Sequence, residues 1–138
     1  MEKQNDLLMD SSVLYRSTQK YYDKMLQDLN LSYAQLPILF EIYENEGISL
    51  QQIVQVGGYD KGTVTKNVQK LNTLGYVSIL TSAKDKRVKE LYTTALTKKH
   101  ISEIYGIRRD WWHHITQDLT AENIEVFRYY IMKDRYVN

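Results

Sequence analysis

The feature that most constrains the fold is a pair of glycines, Gly57-Gly58, between two short segments of helical periodicity. Before it, Ser49-Leu50-Gln51-Gln52 has the spacing of a capping box, in which a hydroxyl accepts from the amide three residues on and a glutamine side chain reaches back. Ile53 and Val56 continue that helix, and the glycines end it. After the pair, Asp60 is placed to cap a second helix that runs to about Leu74 and stops at Gly75. Two short helices joined by a tight glycine turn predict a helix-turn-helix.

The next segments alternate. Tyr76-Val77-Ser78-Ile79-Leu80-Thr81 and Val88-Lys89-Glu90-Leu91-Tyr92-Thr93 are rich in β-formers and flank the polar, basic stretch 82–87. This pattern predicts a two-stranded hairpin with a charged tip. A helix-turn-helix followed by a hairpin is a winged helix, so the expected fold is mainly α with a small β-hairpin. Longer helices flank it. Leu7, Leu14, Tyr21 and Met25 recur at helical spacing through a long first helix over 7–29, whose stripe is wide enough to face a partner. Ser32 and Gln35 have capping-box spacing for a second helix ending near Gly47, with a slight bend expected at Pro37. Thr94 is placed to cap a helix striped by Ile101, Ile104, Tyr105, Trp111/Trp112 and Ile115. Thr120 is placed to cap a last one, with Ile124, Phe127 and Tyr130/Ile131 inward.

A chain of 138 residues suits one compact subunit. The absence of cysteine excludes disulfides, thiolate metal sites and cysteine nucleophiles. With no run of 18 apolar residues and no apolar signal core at Met1-Glu2-Lys3-Gln4-Asn5-Asp6, a soluble, cytoplasmic protein without a membrane partner is expected. The net charge of +1 hides an uneven distribution. Residues 1–47 carry 4 basic and 8 acidic groups, whereas 59–90 carry 7 basic and 3 acidic. A cationic centre is the footprint of a module that touches a polyanion.

Helix 61–74 carries that footprint on one face. Val64, Val68, Leu71 and Leu74 line its apolar side. Opposite lie Gly62, Lys66 and Gln69, flanked by Thr63, Thr65 and Lys70, with Lys61 at the start. No acid interrupts the helix, unlike an ordinary solvated face. Hydroxyls, amides and cations are the groups that bond base edges and phosphates. Gly62 costs about 1 kcal/mol against alanine in a helix interior, less near an end, but lets backbone approach a phosphate closely.

From about Leu31 to Thr94 the pattern resembles the MarR family of winged-helix transcriptional regulators. The resemblance rests on Asp60-Lys61-Gly62-Thr63-Val64-Thr65-Lys66-Asn67-Val68-Gln69-Lys70-Leu71, on Leu74-Gly75-Tyr76-Val77, and on the wing Asp85-Lys86-Arg87-Val88-Lys89 followed by Leu91-Tyr92-Thr93-Thr94. It implies a winged-helix DNA-binding part over 31–93 and dimerisation helices over 1–30 and 94–138. It further implies a homodimer on a pseudo-palindromic double-stranded DNA site, acting as a repressor released by a ligand. Arg87 would enter the minor groove with Asp85 steadying it, and Lys84 and Lys86 would lie beside them on the wing. The effectors of the family, small and often phenolic or carboxylate, point to Tyr15, Tyr22, Tyr33 and Trp111 as candidate lining. An aromatic core and dimer interface is the preferred reading of each of those residues.

Competing chemistries fare worse. Adjacent His113 and His114 project about 100° apart on a helix and His100 is too distant to join them, so no metal site is expected. No nucleophile elbow, phosphate loop or HExxH spacing is present, so neither an enzyme nor a cofactor is expected. The remaining alternative is a winged-helix protein-interaction module without DNA binding. Such a module would have no reason to keep helix 61–74 free of acid and the wing rich in lysine.

Overall fold

The computed structural model describes residues 7–133. Among them are six α-helices and one antiparallel hairpin: α1 (Leu7–Met25), α2 (Leu36–Glu44), α3 (Leu50–Gly57), α4 (Lys61–Thr73), β1 (Val77–Thr81), β2 (Lys89–Thr93), α5 (Ala95–Thr116) and α6 (Ala121–Met132). A 3₁₀ turn, Gln27–Leu29, follows α1 and closes on Asn30 in the left-handed region. No helix of the described residues is long and apolar enough to cross a membrane.

The core lies where α2, α3, α4 and the hairpin meet the end of α1 and the first half of α5. Leu26, Leu36, Leu39, Ile42, Ile53, Val64, Val68, Leu71, Val77, Leu91 and Ile104 are all fully buried there. The periodicities read from the sequence account for this packing. In α4 every third or fourth residue turns inward, and in the strands Val77 and Leu91 do.

Several local devices differ from expectation. Pro37 is the second residue of α2, because the chain makes a turn through residues 33–35 before the helix begins. In the first turn an amide N–H has no partner to lose, so the proline bends nothing. Gln35 does reach back, its Oε1 accepting from the Ser32 N–H at 2.9 Å, but the Ser32 hydroxyl donates to that same oxygen at 2.7 Å instead of accepting. Thr94 occupies the N-cap position of α5 without capping it. Its hydroxyl donates to the Gly75 carbonyl at 2.6 Å and so ties the helix start to the α4–β1 turn. The other caps form as expected, Ser49 with Gln52 in a capping box, Asp60 accepting from the Thr63 N–H and Thr120 from the Asn123 N–H; the Asn123 side chain also reaches back and makes a box there, which the spacing did not announce.

The hairpin pairs Val77 with Thr93 through to Thr81 with Lys89. Its second strand has a further partner that alternation did not reveal. Gly47 N–H donates to the Leu91 carbonyl at 2.8 Å, Leu91 N–H donates to the Ile48 carbonyl at 2.9 Å, and Ser49 bridges Glu90. The segment before α3 thus covers the edge of β2 and anchors the helix-turn-helix to the wing. Gly47, with φ +92°, supplies the left-handed turn that this requires.

The expectation for the last helix is corrected. No residue of α6 is buried; Phe127, Tyr130 and Ile131 are about half exposed or more, and Ile124 is half-buried. An apolar stripe turns inward only where the chain supplies a surface to receive it, and α6 lies beyond the reach of this core. The first half of α1 is exposed in the same way, with Val13 and Leu14 facing outward.

Candidate nucleic-acid interface

The helix α4 is held by its inward face and displayed by the outward one. Val64, Val68 and Leu71 anchor it, and Asn67 joins them: buried, it accepts from the Gln35 Nε2 at 3.0 Å and donates to the Thr63 carbonyl at 3.0 Å. Its polar side chain is tolerated there because both of its groups are paired. Lys61, Gly62, Thr63, Lys66, Gln69 and Lys70 are exposed and Thr65 is half-buried, as the sequence pattern required. Asp60 folds over the start of the helix. The hydroxyl and N–H of Thr63 donate to its carboxylate and hold that carboxyl below its ordinary pKa.

The wing tip is built around Ser82 and Asp85. The Ser82 hydroxyl accepts from the Lys84 and Asp85 N–H groups, and the Val88 N–H donates to the Asp85 carbonyl, which closes the turn. Asp85 then grips Arg87 at three points. The Arg87 Nε and Nη2 donate to its two carboxylate oxygens, each at 3.1 Å, and the Arg87 N–H donates at 3.0 Å. This bidentate fork holds the Asp85 carboxyl below the ordinary range and pushes the guanidinium up, so both stay ionised. The Arg87 side chain remains 89% exposed, presented outward rather than spent on packing. Lys84 and Lys86 are exposed beside it.

Between the helix-turn-helix and the wing runs a groove of about 500 Å³ lined by Ser49, Gln51, Lys61, Thr65, Arg87 and Lys89, among others. It brings together three of the predicted site residues, Lys61, Thr65 and Arg87. Thr63 and Lys70 lie on the other flank of α4 and do not line it. Ser49 and Gln51 are additions. Their capping pattern marked a helix start, but only the pairing of residues 47–49 with β2 aims that start at the wing. The groove contains three cations and no acid among those residues.

Three of the four candidate effector residues, Tyr15, Tyr22 and Tyr33, pack against one another. Tyr22 is in the core with its ring centroid 5.2 Å from that of Tyr33, and Tyr15 meets Tyr33 edge-on at 5.7 Å. Trp111 sits apart, stacked on Tyr21 at 4.6 Å with its Nε1 donating to the Thr18 hydroxyl. Burial pushes the Tyr22 phenol up to about 12. Among the described residues no group of three or more His, Cys, Asp or Glu side chains is placed to hold a metal ion.

Comparison with known proteins agrees with this geometry. Residues 29–88 match a family model described as MarR family. The uncharacterized HTH-type transcriptional regulator YybA of Bacillus subtilis (strain 168) is 27% identical over 113 residues, which cover 82% of this chain and 73% of that protein. A MarR protein from Peptoclostridium difficile DA00132 superposes with a TM-score of 0.87 at 27% identity, over 96% of this chain and 88% of its own. A structure described as a MarR-family regulator from Listeria monocytogenes complexed with 26mer DNA shares the fold at a TM-score of 0.86 and 22% identity, over 94% of this chain and 87% of its own. Residues 29–88 thus match the MarR family model, and along nearly its whole length the chain shares the winged helix-turn-helix fold of MarR proteins.

Proposed function

We propose that the protein is a cytoplasmic, homodimeric repressor that binds a pseudo-palindromic double-stranded DNA site. Each subunit places α4 in a major groove and the wing in an adjacent minor groove. The observation that carries this reading is that two separate elements present cations outward, the acid-free outer face of α4 and the forked Arg87 at the wing tip, with Lys61 and Arg87 lining one groove. A narrow minor groove concentrates negative potential and draws in arginine. Lys66, Lys70, Lys84 and Lys86 contact phosphate, while Thr63, Thr65 and Lys66 lie near base edges. A Listeria monocytogenes regulator that shares this fold is described as complexed with 26mer DNA, which supports DNA as the partner.

Dimerisation is supported by the exposed apolar stripes of α1 and α6, which a second copy would cover. Two α4 helices then meet successive major grooves, with half-sites about 10–10.5 bp apart. A small aromatic or carboxylate effector acts in this scheme by changing the spacing of the two helices, since a rigid duplex binds at one spacing. The phenol cluster of Tyr15, Tyr22 and Tyr33 at the α1–α2 junction is where such a ligand would work.

The test is selection of binding sites from a randomised duplex library at about physiological salt, where nonspecific binding is weak. An inverted repeat with half-sites one turn apart is expected. Failure to enrich any motif, with and without aromatic acids added, would overturn the reading.

A further inference from the structure

We propose that Asp60 fixes the hydrogen-bond polarity of the Thr63 hydroxyl, so that the first turn of α4 reads one base through an acceptor and favours the amino-bearing bases, adenine and cytosine. This inference rests on the reading of α4 as the helix that enters the major groove.

Asp60 Oδ1 accepts from the Thr63 N–H at 2.8 Å and Asp60 Oδ2 accepts from the Thr63 Oγ1 at 2.7 Å. An ionised carboxylate offers lone pairs and no proton. The two donors from Thr63 also favour its ionised form. The one hydroxyl proton is therefore committed to Asp60. What Thr63 keeps for an outside partner is a lone pair on Oγ1 and a methyl group.

In the major groove adenine N6 and cytosine N4 are donors, whereas guanine O6 and N7 and thymine O4 are acceptors. A free threonine hydroxyl rotates to suit either class, but this one accepts only. Its neighbours keep it in place. Gly62 leaves the carboxylate room, since a Cβ there would stand 3.3 Å from Asp60 Oδ1. Asn67 Nδ2 donates to the Thr63 carbonyl at 3.0 Å and is itself bonded to buried Gln35. Asp60 and Thr63 are both exposed, so the pair stands at the surface already oriented.

The experiment runs the library selection in parallel on the wild type, Thr63→Val, Thr63→Ser and Asp60→Asn. Valine keeps the methyl and removes the hydroxyl; serine does the reverse. Asparagine caps as well as aspartate, but its amide donates to Oγ1 and turns the Thr63 proton outward. In the wild type one column of each half-site is expected to hold adenine or cytosine over guanine or thymine by about five- to tenfold, the size of one net hydrogen bond. Thr63→Val should flatten that column, Thr63→Ser should keep it, and Asp60→Asn should move it to guanine or thymine, with the rest of the motif unchanged. The proposal is overturned if Thr63→Val leaves the motif intact, or if the column it flattens held guanine or thymine. It is also overturned if Thr63→Ser loses the column, or if Asp60→Asn weakens the motif evenly without moving it. A wild type that enriches no motif at all would instead overturn the functional reading on which the inference stands.

Discussion

Gln35 and Asn67 are joined inside the core by a hydrogen bond of 3.0 Å, from the residue that starts α2 to the middle of α4. Ser32 completes the Gln35 oxygen, and the Thr63 carbonyl takes the Asn67 amide. Every polar group of the pair is occupied, so the network fixes α4 against α2 in one register. Replacing Gln35 by leucine leaves the Asn67 carbonyl without its donor, and Asn67→Leu strands the Gln35 amide. Each is expected to cost about 1–3 kcal/mol in urea unfolding. The double variant should cost less than the sum, because the groups left unpaired by each single change are then both gone. Additive losses would mean that the two side chains act independently.

The docking of α4 and the wing is tested by salt. Lys66→Ala and Arg87→Ala are each expected to lower the slope of log affinity against log salt by about 1, through lost counterion release. Asp85→Ala frees the Arg87 fork and is expected to weaken binding while leaving the unfolding temperature unchanged, since both groups are solvated at the tip. Slopes and affinities identical to the wild type in the first two variants would exclude this docking.

Gly57 is helical, so propensity alone would favour alanine by about 1 kcal/mol. A Cβ there would, however, overlap the ring of Tyr59 in the helix-turn-helix turn. Gly57→Ala is therefore expected to lower the thermal midpoint. In a Tyr59→Ala background, where the ring is absent, the same substitution should raise it. The change of sign is the readout; a stabilising effect in both backgrounds would show that the ring yields freely.

Tyr22 and Tyr105 are both raised from 10.0 to about 12, chiefly by burial, and for Tyr105 also by its hydrogen bond to Glu44. A group whose folded pKa lies above its unfolded value contributes stability below the unfolded value and loses it as pH rises toward the folded one. The protein should thus lose stability between about pH 10 and 12. Ultraviolet titration should find tyrosines that ionise late, together with unfolding. Tyr22→Phe removes its share of the proton linkage and should flatten this alkaline loss.

The exposed stripes of α1 and α6 make oligomeric state a direct check. Phe127→Asp and Ile131→Asp place charge on a face that is solvated in a single chain and that the proposed dimer would cover. Sedimentation is expected to shift from dimer to monomer, with affinity for a two-half-site duplex falling toward that for one half-site. A protein that remains dimeric with both substitutions would place the interface elsewhere.

Much of the fold was legible in the residues because the signals are local. The Ser49 capping box, the Asp60 and Thr120 caps and the stops at Gly58 and Gly75 all act within one helical turn, and each stands where the spacing placed it. The outer face of α4 was legible for the same reason, since Val64, Val68 and Leu71 determine which side remains outside. Pro37 was misread because its effect depends on whether α2 starts before or after the turn at residues 33–35. That choice is made by packing and by Gln35, not by propensity.

By itself the sequence determined the element types, the caps at Ser49, Asp60 and Thr120, the inward stripe of α4 and the basic character of the wing, because periodicity and side-chain chemistry are properties of neighbours in the chain. Tertiary structure alone decided that residues 47–49 pair with β2, that Ser49 and Gln51 share a groove with Arg87, that Asn67 is buried against Gln35, and that α6 leaves its apolar face outside. These relations join residues far apart in sequence. An amphipathic stripe states only that a helix has something to bury, whereas which surface receives it depends on the whole packed chain.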